Sequence, residues 1–281
     1  MQAFWVLVSS LLFATMSVLV KLASSEFSLA EIVFFRTLPG SLLLFGYARS
    51  RRLPLWPHHW RIHAIRNLVG IGSMTLGFYA ISKLALATAA SLEYTAPIFL
   101  MLYAVVLVRH RPSIIDILAL AGGFAGVLLL LRPSLQQDQL IPFLAGLGSG
   151  ALAAIAYLQI RRLGALGEAT WRTVFIYTLS AMVVSLFAMP FTPPATYSVH
   201  GIGLLIGIGI TGLAGQLAMT RAFSVGAPTL AAILQYSTVV FAAFYGYIVW
   251  GDHPTWMSSL GLVLIIGSGA GAALAMRRAA A

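Results

Sequence analysis

Long apolar runs alternate with short polar breaks along the whole chain. The runs cover residues 4–20, 29–47, 68–81, 88–108, 114–131, 140–160, 173–189, 202–219, 229–250 and 256–276. A helix rises about 1.5 Å per residue, so some twenty apolar residues cross the ~30 Å hydrocarbon layer. The apolar positions are continuous and do not alternate with a period of two, which excludes the strands of a membrane barrel. The pattern predicts an all-α integral membrane protein with ten transmembrane helices. The first run has no Lys or Arg before Lys21, so it is expected to be a retained helix and not a cleaved secretory leader. Pro97 falls inside the fourth run and predicts a kink there. Pro112, Pro228 and Pro254 fall where a helix start tolerates a missing N–H.

The fourth run has a counterpart later in the chain. AASLEYT at 89–95 is answered by AAILQYS at 231–237, an offset of 142 residues from Tyr94 to Tyr236. The same ungapped offset carries Ala80 onto Ala222, Phe99 onto Phe241, Tyr103 onto Tyr245 and Leu118 onto Leu260. Two units follow, residues 1–131 and 140–281, joined by the polar segment 132–139. Each holds five runs, and an odd number inserts the second copy upside down. The expected architecture is therefore two inverted five-helix repeats about a pseudo-twofold axis in the membrane plane. In that geometry a site forms near mid-bilayer where the repeats meet. Near-equal halves also keep the inward-open and outward-open states close in energy.

Composition agrees and narrows the chemistry. Hydrophobic residues make up 60% of the chain and charged ones only 9%, against roughly a quarter charged in soluble globules. The net charge of +10 is explained by its placement. Thirteen Lys/Arg fall in one set of alternating loops and three in the other. That bias predicts both termini in the cytoplasm, with anionic lipid headgroups and not nucleic acid as the partners of the positive charge. The absence of cysteine excludes disulfides, iron–sulfur ligation and thiol catalysis. Lys21 and Lys83 are the only lysines and neither follows Gly, so a Walker loop is excluded and no nucleotide cofactor is expected.

Arg36 and Glu93 are the charges placed deepest within runs. Charge there costs a few kcal/mol or more on insertion scales and should face a bundle interior or water. Their depths differ by roughly 5 Å, so they can form a locking ion pair, unless Arg36 caps backbone carbonyls or snorkels to the interface. Alternatively Glu93 takes a substrate ammonium or a proton while Arg36 takes a carboxylate. Tyr94 and Tyr236 are either packed aromatics or cavity walls. Gln235, Tyr79 and Tyr157 join the candidates on the same reasoning, with Gln159 and Gln216 behind them. His58, His59 and His63 lie in a basic stretch without an acidic neighbour and are expected to be solvated, so no metal site is expected. Four Gly-x3-Gly faces, 122/126, 146/150, 203/207 and 267/271, predict close helix packing, with a monomer or weak homodimer as the assembly. The six tryptophans fall near run ends, as an aromatic belt does. Three classes stay open at this point: a carrier, a polytopic membrane enzyme and a passive channel. No convincing nucleophile–base pair supports the enzyme.

The duplicated AA-x-L-x-Y element, EYTAP at 93–97, Lys21 closing the first helix and Arg36 in the second resemble the drug/metabolite transporter superfamily, EamA type. The prolines opening helices five and ten fit as well. The resemblance covers the full chain. Where the family often carries Gly-Glu-x-Pro, this chain has RHRP at 109–112 and GDHP at 251–254, and Val239 replaces the proline of helix nine. The resemblance implies a gradient- or proton-dependent exporter of amino acids or related metabolites, aromatic ones included, in a bacterial inner membrane.

Overall fold

In the computed structural model, residues 2–84, 86–108, 113–131, 139–192, 197–225, 228–250 and 255–279 are described. The first repeat comprises α1 (Gln2–Ala23), α2 (Leu29–Ser50), α3 (Trp60–Lys83), α4 (Leu86–Glu93), α5 (Ala96–Val108) and α6 (Ile114–Leu131). The second comprises α7 (Leu140–Ala165), α8 (Thr170–Ala188), α9 (Val199–Ser224), α10 (Pro228–Leu234), α11 (Ser237–Tyr245) and α12 (Trp256–Ala279). The pairs α4–α5 and α10–α11 each make one interrupted span, so the helices form ten crossings in two sets of five. Seven helical stretches are long and apolar enough to cross a membrane by themselves, and α6 and α12 contain shorter apolar stretches. No strand occurs among the described residues. Large apolar side chains such as Leu68, Ile141, Phe187 and Val263 stand exposed on the outer surface, which lipid would cover. Pro112, Arg132, Pro254, RHRP and GDHP lie outside the described residues, as does all of the 132–139 segment but Gln139.

The packing relates the two repeats by a twofold axis. α1 packs on α9 while its counterpart α7 packs on α3; α5 packs on α7 while α11 packs on α1. α2 meets its own counterpart α8, and α6 meets α12. Exchanging the two repeats maps this set of contacts onto itself, as a twofold axis requires. Glycines make the closest approaches. A Cβ on Gly126 would lie 2.7 Å from the Gly261 carbonyl oxygen, and one on Gly146 would lie 2.8 Å from Leu92 Cδ1. Those two Gly-x3-Gly faces are helix contacts, whereas Gly203, Gly267 and Gly271 meet nothing within 4 Å.

Both duplicated elements break their helices. In the first, Tyr94 and Thr95 form a turn; Thr95 N–H donates to the Leu92 carbonyl at 3.1 Å and Ile98 N–H to the Thr95 carbonyl at 2.9 Å. In the second, Gln235 and Tyr236 turn, and Thr238 N–H donates to the Gln235 carbonyl at 2.9 Å. Pro97 accounts for the first interruption. The second occurs with Val239 at the equivalent place, so proline is not its cause.

The structure corrects two expectations near the inner end of α3. The third helix begins at Trp60, not at residue 68, so Arg66 is helical and only 2% exposed. Lost from the basic loop, it leaves the loop imbalance large. His63 is also buried, with Nε2 3.6 Å from Glu168, which in turn pairs with Arg172. The acidic neighbour comes from the turn before α8, remote in sequence. His58 remains exposed, and no cluster of His, Asp and Glu able to hold a metal occurs among the described residues.

Candidate functional site

The interrupted helices converge on a central cavity of about 120 Å³. α2 brings Arg36, α3 brings Arg66 and Ser73, the first break brings Glu93 and Tyr94, and the second brings Gln235 and Thr238. α7 contributes Tyr157, α8 Tyr177 and α9 Gln216, with Phe13, Met16 and Met219 as apolar wall. A broken helix suits this position. Unwound backbone is tolerated at membrane depth only where it lines a cavity or is buried in protein.

The three charges of the wall are held differently. Glu93 sits deep in the bundle, yet its surface is exposed, because it opens onto the cavity. No ion pair within 4.0 Å joins it to Arg36, so the locking pair is not formed. Arg36 is 5% exposed; its Nη2 reaches Gln216 Oε1 at a long 3.4 Å, and its Nε has no hydrogen-bond partner. Arg66 stacks on the Tyr177 ring with 3.7 Å between its guanidinium carbon and the ring centroid, while its Nε and Nη1 lack partners. Arg36 approaches the same ring at 6.0 Å. Buried guanidinium groups normally pair, and leaving one unpaired is costly. Among the described residues, neither guanidinium meets a carboxylate within 4.0 Å.

The neutral polar groups are better satisfied. Gln235 Nε2 donates to the Tyr157 hydroxyl at 3.0 Å, and the Tyr157 ring stacks on Phe223 at 4.3 Å. The Tyr94 hydroxyl lies against Thr238. The Tyr94–Thr238 contact joins the first break to the opposite repeat, whereas Gln235 and Tyr157 meet within the second.

Of the residues singled out in the sequence, Arg36, Glu93, Tyr94, Gln235 and Tyr157 line the cavity, and so does Gln216. Tyr79 and Gln159 do not. Tyr236 does not either: it is fully buried among Val127, Val239 and Ile265, and its hydroxyl has no partner. Its ring meets Tyr94 edge-on at 6.5 Å, so the two repeat-related tyrosines touch at the seam between the copies. Arg66 and Tyr177 were missed. The signal for Arg66 was present, since Arg66, Gly70, Ser73 and Gly77 follow helical spacing and all face the cavity.

Ten crossings in two inverted repeats around a polar, charged central cavity define a carrier-type membrane protein. The chain belongs to the EamA-like transporter family, whose model matches residues 1–132 and 140–274. Membership makes it a transporter and not an enzyme. It is 33% identical over 260 residues to the pseudopaline exporter CntI of Pseudomonas aeruginosa, covering 92% of this chain and 90% of that one. It is 26% identical to human solute carrier family 35 member G1, over 96% of this chain and 78% of the human protein. A solved crystal structure at 18% identity superposes with a TM-score of 0.81 over 99% of both chains and shares the fold.

Proposed function

We propose that the protein is a secondary transporter that exports amino acids or related small metabolites by alternating access through the central cavity. One observation carries this reading: Glu93 and Arg36, opposite in charge and not paired with each other, face the same cavity. That arrangement fits a zwitterion, with its ammonium on Glu93 and its carboxylate on Arg36. Tyr94 and Tyr157 supply hydroxyls and ring faces for the rest of the cargo. A cavity of about 120 Å³ is smaller than the roughly 300–1,000 Å³ of sites that bury drug-sized ligands, so the cargo is small or the wall opens to admit it. Glu93 is the only carboxylate of the wall among the described residues and, when the cargo leaves, the place for an exchanged proton. Export is supported by the name of the Pseudomonas relative. A bacterial inner membrane with both termini cytoplasmic is the setting consistent with the loop charges.

The test is counterflow. Purified protein in liposomes is loaded in turn with a panel of radiolabelled amino acids, and protein-dependent, saturating exchange is expected for at least one. Saturation separates a carrier from a channel. For a cargo that moves, Glu93→Gln should lower apparent affinity about ten- to a hundredfold, the range of a lost charge-assisted bond. Tyr94→Phe should lower it severalfold. Normal exchange by both variants at normal abundance would place the site elsewhere, and no exchange of any amino acid would end the amino-acid version.

A further inference from the structure

The geometry points to a cargo with two acidic groups, the second held by Arg66. This rests on the carrier reading above and specifies its substrate class: a zwitterion with an excess of carboxylate over ammonium. Among the described residues, the charged side chains of the wall are Arg36 and Arg66 against Glu93. A simple amino acid brings one ammonium and one carboxylate, and would leave one guanidinium unpaired. A molecule with one ammonium and two carboxylates pairs all three.

Arg66 is shaped for this task. The Tyr177 ring covers one face of its guanidinium, and the Tyr177 hydroxyl lies near the Gly70 carbonyl at 3.4 Å and Met74 Sδ at 3.5 Å while also hydrogen-bonding the Arg66 side chain. Stacking fixes the plane of the fork and leaves the Nε and Nη1 donors without partners, sites that a carboxylate would use. Gly70 makes room for the stack: a Cβ there would lie 3.2 Å from both Arg66 Nη1 and Tyr177 Cε2. A merely structural arginine in the same place would hydrogen-bond carbonyls or a carboxylate. Here Nε and Nη1 meet neither, although the side chain is 98% buried by its 2% exposure.

Glutamate and glutamine differ by this one group at nearly constant shape. Purified protein in lipid nanodiscs is titrated with L-glutamate and L-glutamine by calorimetry, alongside the counterflow panel. Glutamate is expected to bind at least tenfold more tightly. Arg66→Gln should bring the ratio close to one, and Arg66→Lys, which keeps the charge but not the fork, should retain a severalfold preference. Size-exclusion profile and melting temperature check the fold of each variant, and the lysine variant keeps the test decisive if the glutamine variant fails to assemble. Equal or tighter binding of glutamine, or an unchanged ratio in either variant, overturns the inference while leaving an amino-acid carrier standing. Absence of binding and of exchange for the whole panel overturns both.

Discussion

A charge in an apolar chain can serve the fold or the cargo, and its partners tell which. Glu168 serves the fold. It is 9% exposed, pairs with Arg172 and faces His63, and Arg172 Nε also donates to the Pro54 carbonyl at 3.0 Å. The cluster ties the loop after α2 to the start of α8. Breaking a buried pair from one side leaves the other charge uncompensated, at about 3–5 kcal/mol. Glu168→Leu is therefore expected to lower the melting temperature in detergent by several degrees, and Glu168→Leu with Arg172→Met to recover part of that loss. A single variant as stable as the parent would show the pair to be inert. Arg36 and Glu93 have no such mutual partner, and these two were legible in the sequence because they interrupt long apolar runs. Arg66 read as loop because it stands just before an apolar run, although its helical spacing to Gly70, Ser73 and Gly77 carried the signal. Tyr236 misled for another reason. Duplication copies a residue but not its surroundings, and Gly123 with Val127 closes a core around this copy; a Cβ on Gly123 would lie 2.5 Å from the ring.

The interrupted spans are the elements on which the site depends, and a glycine of α7 seats the first of them. A Cβ on Gly150 would stand 2.5 Å from Thr95 Oγ1, 3.0 Å from the Leu92 carbonyl oxygen and 3.2 Å from the Ala96 nitrogen. Two of those atoms are backbone of the turn itself and cannot swing aside. Gly150→Ala is expected to cost about 1–3 kcal/mol of stability, the range for overpacking, and to reduce exchange by displacing Glu93 and Tyr94. Gly271→Ala is the control, since nothing lies within 4 Å of that position; it should be neutral or stabilise by up to about 1 kcal/mol, the helix preference of alanine over glycine. Paired melting curves and counterflow rates decide, and equal behaviour of the two variants would deny Gly150 its role. At this scale the apolar runs located every span, since hydrocarbon length imposes about twenty residues on each. Pro97 announced the first break. The second break had no proline to announce it, and only its place in the repeated element pointed there. Lys21 shows a similar limit: its Nζ donates to the carbonyls of Ile81 at 3.0 Å and Leu84 at 3.3 Å, closing the C-terminal end of α3, a contact that no local pattern encodes.

For the whole molecule, inversion of the repeats makes a claim about sidedness that does not depend on any substrate. The loop between α2 and α3 and the loop between α8 and α9 hold equivalent places in the two copies, and five crossings separate equivalent places. They must therefore lie on opposite faces of the membrane. Trp56 in the first loop is 87% exposed and Val199 at the end of the second is 91% exposed, so each accepts a probe without disturbing the core. The chain has no cysteine of its own, so a single introduced thiol is the only one to react. With a membrane-impermeant maleimide on intact cells, Val199→Cys is expected to label at once, and Trp56→Cys only after the membrane is opened. Opposite reactivity of the two sites supports the inverted architecture whichever face is outside. Which one labels first then tests the charge rule, because Arg49, Arg51 and Arg52 crowd the Trp56 side. Labelling of both from the same face would break the symmetry that brings Glu93 and Gln235 to one cavity from opposite ends of their spans. Without that symmetry, the same two helix breaks could not exchange roles as the cavity turns from one side of the membrane to the other.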